Sequence, residues 1–245
     1  MKFAGAKVAV SASRDANLKI WDLETGACRG TLSGHEAVIY DLAITNDYAI
    51  SASSDGTAKV WSISEQKHMS TLSGHTGAVR RVECDGEKIF TGSLDNDVRV
   101  WDLTTGSPLA TLKGHTSLVG RIAVHGDVLV TGGSDARIII WSLQDYTALH
   151  TIPEAHQYGI ISMSARDGQV LTGGSDGTVK LWDIQTGQLL GDLGTHTQSV
   201  WTVSLGEAET KTVIVASAQG TSSHPEWDDA FLDVSERCPT ITFYC

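Results

Sequence analysis

Serine or threonine, histidine and aspartate recur together at fixed spacing in this chain. They are the residue types of a nucleophile, a general base and its orienting carboxylate. One set is His35, Ser51 and Asp55; the others are His75, Thr91 and Asp95, then His115, Thr131 and Asp135, then His156, Thr172 and Asp176. A tryptophan closes each set, at Trp61, Trp101, Trp141 and Trp182, always 26 residues after the histidine. An earlier set, Ser11, Asp15 and Trp21, has no histidine. A hydrolase needs one triad with an exposed nucleophile held on a strained turn. Four copies of one triad describe scaffolding, and the chain is read as a non-enzyme. An indole N–H only donates, a hydroxyl donates and accepts, imidazole relays and a carboxylate accepts. A chain from Trp61 through Ser51 and His35 to Asp55 would satisfy each buried polar group.

These sets require elements that repeat with them. Lined up on Trp, the segments read VSASRDANLKIWDLETG, ISASSDGTAKVWSISEQ, FTGSLDNDVRVWDLTTG, VTGGSDARIIIWSLQDY and LTGGSDGTVKLWDIQTG. Runs such as TAKVW and DVRVW alternate with period two, the mark of half-buried strands. Small polar residues around each Asp mark a tight turn between two strands. In the second unit the pattern predicts strands near 38–44, 48–53, 57–63 and 68–73. No helical pattern intervenes, which argues against a parallel α/β fold. Four strands per unit of about 40 residues predict an all-β fold of β-propeller blades with antiparallel strands.

Composition narrows the function. The net charge of −11 argues against nucleic acid as the main ligand, because phosphate contacts need clustered Lys and Arg. No apolar stretch is long enough for a transmembrane helix, so no membrane partner is expected. The opening MKFAGAKVAVSAS is read as a strand over 7–13 rather than a signal peptide, since Lys7 breaks the apolar run. The four cysteines, Cys28, Cys84, Cys238 and Cys245, show no pairing across repeats; Cys238 and Cys245 are a pair or nothing. Reduced thiols in a cytoplasmic or nuclear setting are expected. No Cys/His spacing suits zinc, and no metal or cofactor is expected.

The array is expected to be incomplete, with about five to six blades over 1–218. A partial blade spans 7–33, with strands near 7–13, 17–23 and 28–33 and its first strand missing. Full blades follow at 34–73, 74–113, 114–154 and 155–194, and a partial one at 195–218 with strands at 200–205 and 211–218. Residues 219–245 read as an irregular acidic tail, with GTSSHPEWDD at 220–229 as loop and TITFY at 240–244 as a further candidate strand. Either the strand at 200–205 completes the first unit and closes a five-bladed ring, or the chain is a fragment of a seven- or eight-bladed propeller. The mid-blade start favours the fragment.

Trp-Asp is intact at 21–22, 101–102 and 182–183, while Trp61 and Trp141 precede Ser. Gly-His is intact at 34–35, 74–75 and 114–115 and becomes Ala155-His156 and Thr195-His196. The unit resembles the WD-repeat family over roughly residues 7–205. The strings GAKVAVSASRDANLKIWDLETG, GAVRRVECDGEKIFTGSLDNDVRVWD and GGSDGTVKLWDIQTGQLL are most similar to the propellers of F-box/WD-repeat proteins, substrate receptors of SCF ubiquitin ligases.

That resemblance implies a protein-interaction module binding proteins or short peptides, with phosphorylated or acidic peptides held by arginines on the top face. Carried over, Arg14 before Asp15 matches a phosphate-binding arginine, and the next such position falls at Tyr40. Arg80 stands where the family usually has an aromatic residue, Trp201 matches a late aromatic lining the pocket, and a basic position is lost at Ala218. Plainer readings stand beside these: Arg14 as a solvated turn residue, Arg80 and Arg81 as alternating exposed charges, Trp201 as core or edge packing. Recruitment of a ligase adaptor would need residues absent from this chain. The competing function is a generic WD-repeat scaffold or sensor with no preference for phosphate.

Overall fold

The computed structural model describes residues 1–195, 199–205, 212–219, 226–233 and 240–243, the last three as backbone strands. It is all-β, with six four-stranded antiparallel sheets, each built from four consecutive strands. The first blade holds β1 (Lys2–Phe3), β2 (Val8–Ala12), β3 (Asn17–Asp22) and β4 (Cys28–Ser33). The second holds β5 (Ile39–Thr45), β6 (Tyr48–Ser53), β7 (Ala58–Ser62) and β8 (Lys67–Leu72). The third holds β9 (Val79–Cys84), β10 (Lys88–Ser93), β11 (Val98–Asp102) and β12 (Pro108–Leu112). The fourth holds β13 (Val119–His125), β14 (Val128–Gly133), β15 (Ile138–Ser142) and β16 (Ala148–Ile152). The fifth holds β17 (Ile160–Arg166), β18 (Gln169–Gly174), β19 (Thr178–Asp183) and β20 (Leu189–Thr195). The sixth holds β21 (Val200–Leu205), β22 (Thr212–Gln219), β23 (Glu226–Asp233) and β24 (Thr240–Phe243). The chain divides into two compact units, Met1–Ile122 and Ala123–Cys245.

Burial follows position in the blade. The second strand of a blade is covered on both faces and reads as a run of small and apolar residues: Ala49 to Ser53 in YAISAS are all buried. Outer strands cover one face only; in β8 just Leu72 is buried. Three of the tryptophans fill the gap to the preceding blade. Trp61 joins Val10, Leu18 and Leu32 of the first blade; Trp101 joins Ile50, Val60 and Leu72 of the second; Trp182 joins Val130, Ile138 and Ile140 of the fourth. A buried indole of this kind contributes about 3–5 kcal/mol against alanine. Glycine after the hydroxyl position lets the next blade press close: a Cβ on Gly92 would stand 2.7 Å from the Val119 carbonyl oxygen.

Two kinds of bulge interrupt these ladders. In the third-to-fourth strand pairs the register shifts beside each Trp and leaves one outer-strand residue unpaired, namely Arg29, Met69, Leu109, Leu149 or Leu190. The extra residue is turned outward, which accounts for Met69, Leu109, Leu149 and Leu190 being 44–51% exposed. The other kind lies on the first strands and shapes the site below.

The structure departs from the sequence expectation in three places. The first blade is not missing its first strand, because β1 pairs Lys2 with Val10 and Phe3 with Ala9. Both residues are exposed, so no burial pattern advertised them. The segment 200–205 does not complete the first blade, since β21 pairs with β22 in its own sheet. The segment 219–245 is not irregular throughout: β23 pairs with β22 from Thr212↔Asp233 to Gln219↔Glu226, and β24 pairs with β23. Ladder hydrogen bonds come from the backbone, so an acidic, weakly alternating segment can still fill a strand position. His196, Pro225, Cys238 and Cys245 lie outside the described residues.

Candidate functional site

The recurring polar set is assembled as a relay. In the second blade Trp61 Nε1–H donates to Ser51 Oγ at 2.8 Å, and Ser51 lies 2.7 Å from His35 Nε2. His35 Nδ1 lies 2.6 Å from Asp55 Oδ2. Each role is filled if the imidazole is neutral, accepts the serine hydroxyl at Nε2 and donates from Nδ1 to the carboxylate. Burial lowers the His35 pKa, against the pull of Asp55, and so favours that neutral form. Burial pushes the Asp55 carboxyl up, but hydrogen bonds from Thr57, His35 and the Glu36 N–H outweigh it and hold the group at about 2. The third blade repeats the relay: Trp101 to Thr91 at 2.9 Å, Thr91 to His75 at 2.8 Å and His75 to Asp95 at 2.8 Å. In the fifth, Trp182 reaches Thr172 at 2.9 Å and Thr172 reaches His156 at 2.8 Å, but His156 Nδ1 is closer to Thr178 (2.7 Å) than to Asp176 (3.3 Å).

The Trp–hydroxyl bond forms in the first and fourth blades as well, Trp21 to Ser11 at 2.8 Å and Trp141 to Thr131 at 2.9 Å. In the first, Asp15 holds its own turn, accepting from the Asn17 N–H at 3.0 Å. In the fourth, Asp135 does the same with the Arg137 N–H at 3.2 Å, and His115 is buried. The bonds resemble a catalytic triad, yet Ser51, Thr91 and Thr172 have no exposed surface and each hydroxyl already receives an indole N–H. The arrangement fastens strand to strand. Asp55, Asp95 and Asp176 also accept the N–H of the residue after the histidine (Glu36, Thr76, Gln157) at 3.1, 2.9 and 2.7 Å, clasping the incoming loop.

The expected peptide-contact residues stand at a different feature. In β5 the ladder passes from Ile39↔Ser53 to Asp41↔Ala52 and skips Tyr40. In β9 it skips Arg80, in β17 Ile161 and in β21 Trp201. A bulge sets the extra residue out of the ladder register and re-aims its side chain, so Tyr40 is 42% and Trp201 55% exposed. Arg14, Tyr40 and Arg80 come together in the first unit. The Arg80 guanidinium lies 3.9 Å from the Tyr40 ring centroid, a cation–π contact. Tyr40 Oη is 3.5 Å from Ser54 Oγ; this contact first, then Arg80 and the more distant Arg14, hold the phenol below its usual pKa. Arg14 is exposed in the turn before Asp15. Trp201 stands in the second unit at the equivalent bulge.

Sequence reasoning missed what lies one residue further along each first strand. Asp41 of the second blade reaches into the third: its Oδ2 accepts the Val82 N–H at 2.9 Å and faces Arg81 Nε at 3.4 Å. In the fifth blade Ser162, at the same repeat position, donates to the Val200 carbonyl of the sixth at 2.9 Å. Asp41, Arg81 and Ser162 all fall seven residues after the unit's first position, a signal legible only once the units are aligned column by column. Among the described residues no group of three or more His, Cys, Asp or Glu is placed to hold a metal ion.

Comparison with known proteins places this geometry. The WD domain, G-beta repeat model matches residues 26–62, 66–102, 106–142 and 147–183. The chain is 61% identical over 33 residues to nuclear distribution protein PAC1 of Arthroderma otae, a match spanning 14% of this chain and 7% of that protein. The computationally designed Ika8 protein has a similar crystal structure, with a TM-score of 0.85 and 27% identity over 97% of this chain and 71% of the designed one. Four matched repeats, four-stranded blades and the Trp–hydroxyl–His–Asp relay together make this chain a member of the WD-repeat β-propeller family.

Proposed function

We propose that this chain is a peptide-recognition propeller whose first unit binds a phosphorylated or acidic segment of a partner protein through Arg14, Tyr40 and Arg80. WD-repeat domains generally serve as protein-interaction scaffolds. The observation that carries the finer reading is the Tyr40–Arg80 stack on two successive bulges. It fixes one guanidinium over an aromatic face at an exposed position, and Arg14 adds a second cation nearby. Trp201, exposed at the same bulge of the second unit, offers an aromatic contact of its own. The resemblance to F-box/WD-repeat receptors supports a role in presenting such peptides to a ubiquitin ligase, through segments outside these residues. Long-range attraction is weak because the chain carries −11 overall, so recognition depends on local charge.

Matched phosphorylated and unphosphorylated peptide libraries, titrated against the intact chain and its Arg14→Ala/Arg80→Ala variant, test this. Preferential binding of the phosphorylated set, reduced at least tenfold in the variant, is the expected result, since a hydrogen bond to a charged group contributes about 1.5–3 kcal/mol. Equal binding of both sets, or an unaffected variant, leaves the generic scaffold.

A further inference from the structure

Two features of the second blade break the repeat at one end of its strands. Where three units have Trp-Asp, this one has Trp61-Ser62. The Asp of the other units caps its own turn: Asp102 Oδ1 accepts the Thr105 N–H and Asp183 Oδ1 the Thr186 N–H, both at 2.7 Å. Ser62 both accepts and donates. Its Oγ takes the Glu65 N–H at 3.2 Å and gives its own proton to Asp47 Oδ2 at 2.8 Å. A carboxylate at 62 would repel Asp47 instead. Ser64 adds its hydroxyl to Asp47 Oδ2 at 2.6 Å and its N–H to Oδ1 at 2.9 Å. The second feature is Gln66, at φ 52° where three other units have Gly26, Gly106 and Gly187 at φ 68–71°. Between the second and third blades Gly106 packs against Ser70, and between the fourth and fifth Gly187 packs against His150. Between the first and second the sizes are exchanged, and the Gln66 carboxamide occupies the space a side chain on Gly30 would need.

These side chains frame a cavity of about 250 Å³ between the first two blades. Its floor is apolar: Ile20 and Ile63 belong to the core, and Ala4 and Val8 are partly buried against it. Asp47, Ser64 and Gln66 supply polar atoms to the lining. The other carboxylates at this end of the two blades hold cations. Asp22 holds Arg29, which also borders the cavity, Glu24 holds Lys7 at 2.8 Å, and Glu65 holds Lys67. Asp47 has neutral donors only. Burial pushes its carboxyl up, but hydrogen bonds from Ser64 and Ser62 outweigh this and hold it below the usual range, so it is charged at neutral pH. Oδ2 already accepts two hydroxyls, whereas Oδ1 accepts one N–H and keeps a lone pair. The Gln66 carboxamide makes no hydrogen bond among the described residues. An uncompensated carboxylate beside an apolar floor suits a cation on an aliphatic stem. A guanidinium fork engages both carboxylate oxygens, so one remaining lone pair fits the point charge of an ammonium better. The net charge of −11 draws basic segments toward the chain.

We propose that this cavity receives a lysine side chain of a partner protein, with its stem on Ile20 and Ile63 and its ammonium on Asp47 and Gln66. The site is separate from the one built on Arg14, Tyr40 and Arg80: Tyr40 stands at the start of β5, and Asp47 follows the end of that strand. It is a second docking point on the same blades and does not rest on the phosphopeptide reading. The probes are capped alanine pentapeptides carrying lysine, arginine, norleucine or glutamate at the centre, titrated into the intact chain and followed by amide NMR. The lysine peptide is expected to shift the amides of Asp47, Ser64 and Gln66. It is expected to bind about tenfold or more tightly than the norleucine peptide, which keeps the stem and lacks the charge. Asp47→Asn, which keeps the shape, is expected to weaken lysine binding about tenfold or more. Gln66→Gly restores the residue of the other units and relieves the left-handed backbone, so the unfolding temperature is not lowered. Its lysine binding is expected to weaken about two- to tenfold, a loss that misfolding does not explain. No amide shift with the lysine peptide, or equal affinity for the lysine and norleucine peptides, overturns the site. So does an affinity unchanged in Asp47→Asn, and equal affinity for the lysine and arginine peptides overturns the assignment to lysine.

Discussion

Replacing Asp95 by alanine tests whether the relay is structural. The carboxylate accepts three hydrogen bonds, from His75 Nδ1 at 2.8 Å, the Thr76 N–H at 2.9 Å and the Asp97 N–H at 3.1 Å. The His75 side chain is 1% exposed, so its Nδ1–H would be left without a partner at a cost of roughly 1–3 kcal/mol. Thr76 is exposed and Asp97 half-buried, so water recovers part of the loss there, leaving about 0.5 kcal/mol each. The sum is about 3 kcal/mol, which in a chain of this length lowers the unfolding temperature by about 6–12 °C. Calorimetry and urea unfolding of Asp95→Ala, Asp55→Ala and the pair provide the assay. Asp55 belongs to the neighbouring relay and shares no hydrogen-bond partner with Asp95, so the two losses are expected to add. Asp102→Ala, which removes the Asp of a Trp-Asp dipeptide from an exposed turn, is expected to cost clearly less. If Asp95→Ala unfolds within about 0.5 kcal/mol of wild type, the size of an ordinary surface substitution, the relay does not hold the blades and the reasoning fails.

Three further outcomes follow from the same geometry. His35, His75 and His156 have pKa values lowered chiefly by burial, so the unfolded chain binds more protons and stability falls as pH drops below about 6.5; Asp55, held at about 2, adds a second loss below about 4. An unfolding temperature unchanged between pH 7 and 5 contradicts the buried neutral histidines. Gly92→Ala should destabilise by about 1–3 kcal/mol in urea unfolding, since its Cβ meets a backbone oxygen that cannot step aside. Ala136→Gly should stabilise by about 1 kcal/mol in the same measurement, because Ala136 sits at φ 62°, where the Cβ is a liability.

The blades were legible because their period is enforced twice, by alternating apolar residues and by a polar set that must bond to itself. The observed β6 (Tyr48–Ser53) and β8 (Lys67–Leu72) lie within a residue of the predicted ranges. The relay could be written down as a chain of donors and acceptors, although His156 Nδ1 lies closer to Thr178 than to Asp176. Elements held by backbone pairing alone were not legible. Nothing in Lys2–Phe3 or in EWDDAFLD distinguishes a strand from a loop until a neighbouring strand offers its ladder. Tyr40 and Arg80 were named from family pattern, but the bulge that exposes them leaves no mark in residue type. Asp41, Arg81 and Ser162 act across blade boundaries, and a linear reading does not show which blade faces which.

Each first-strand bulge has a consequence for how such a chain diversifies. The side chain it carries is tied into neither ladder, and at Tyr40 and Trp201 it is largely outside the core. Folding places little demand on its identity, which is why tyrosine, arginine, isoleucine and tryptophan occupy the same structural position in one chain. A hypervariable loop gains sequence freedom by giving up rigidity; here the freedom is confined to one residue anchored on both sides by paired strands. Such a residue meets a partner already ordered, so little conformational entropy is lost on contact. Specificity can then be rewritten one residue per blade, with the frame that displays it left intact.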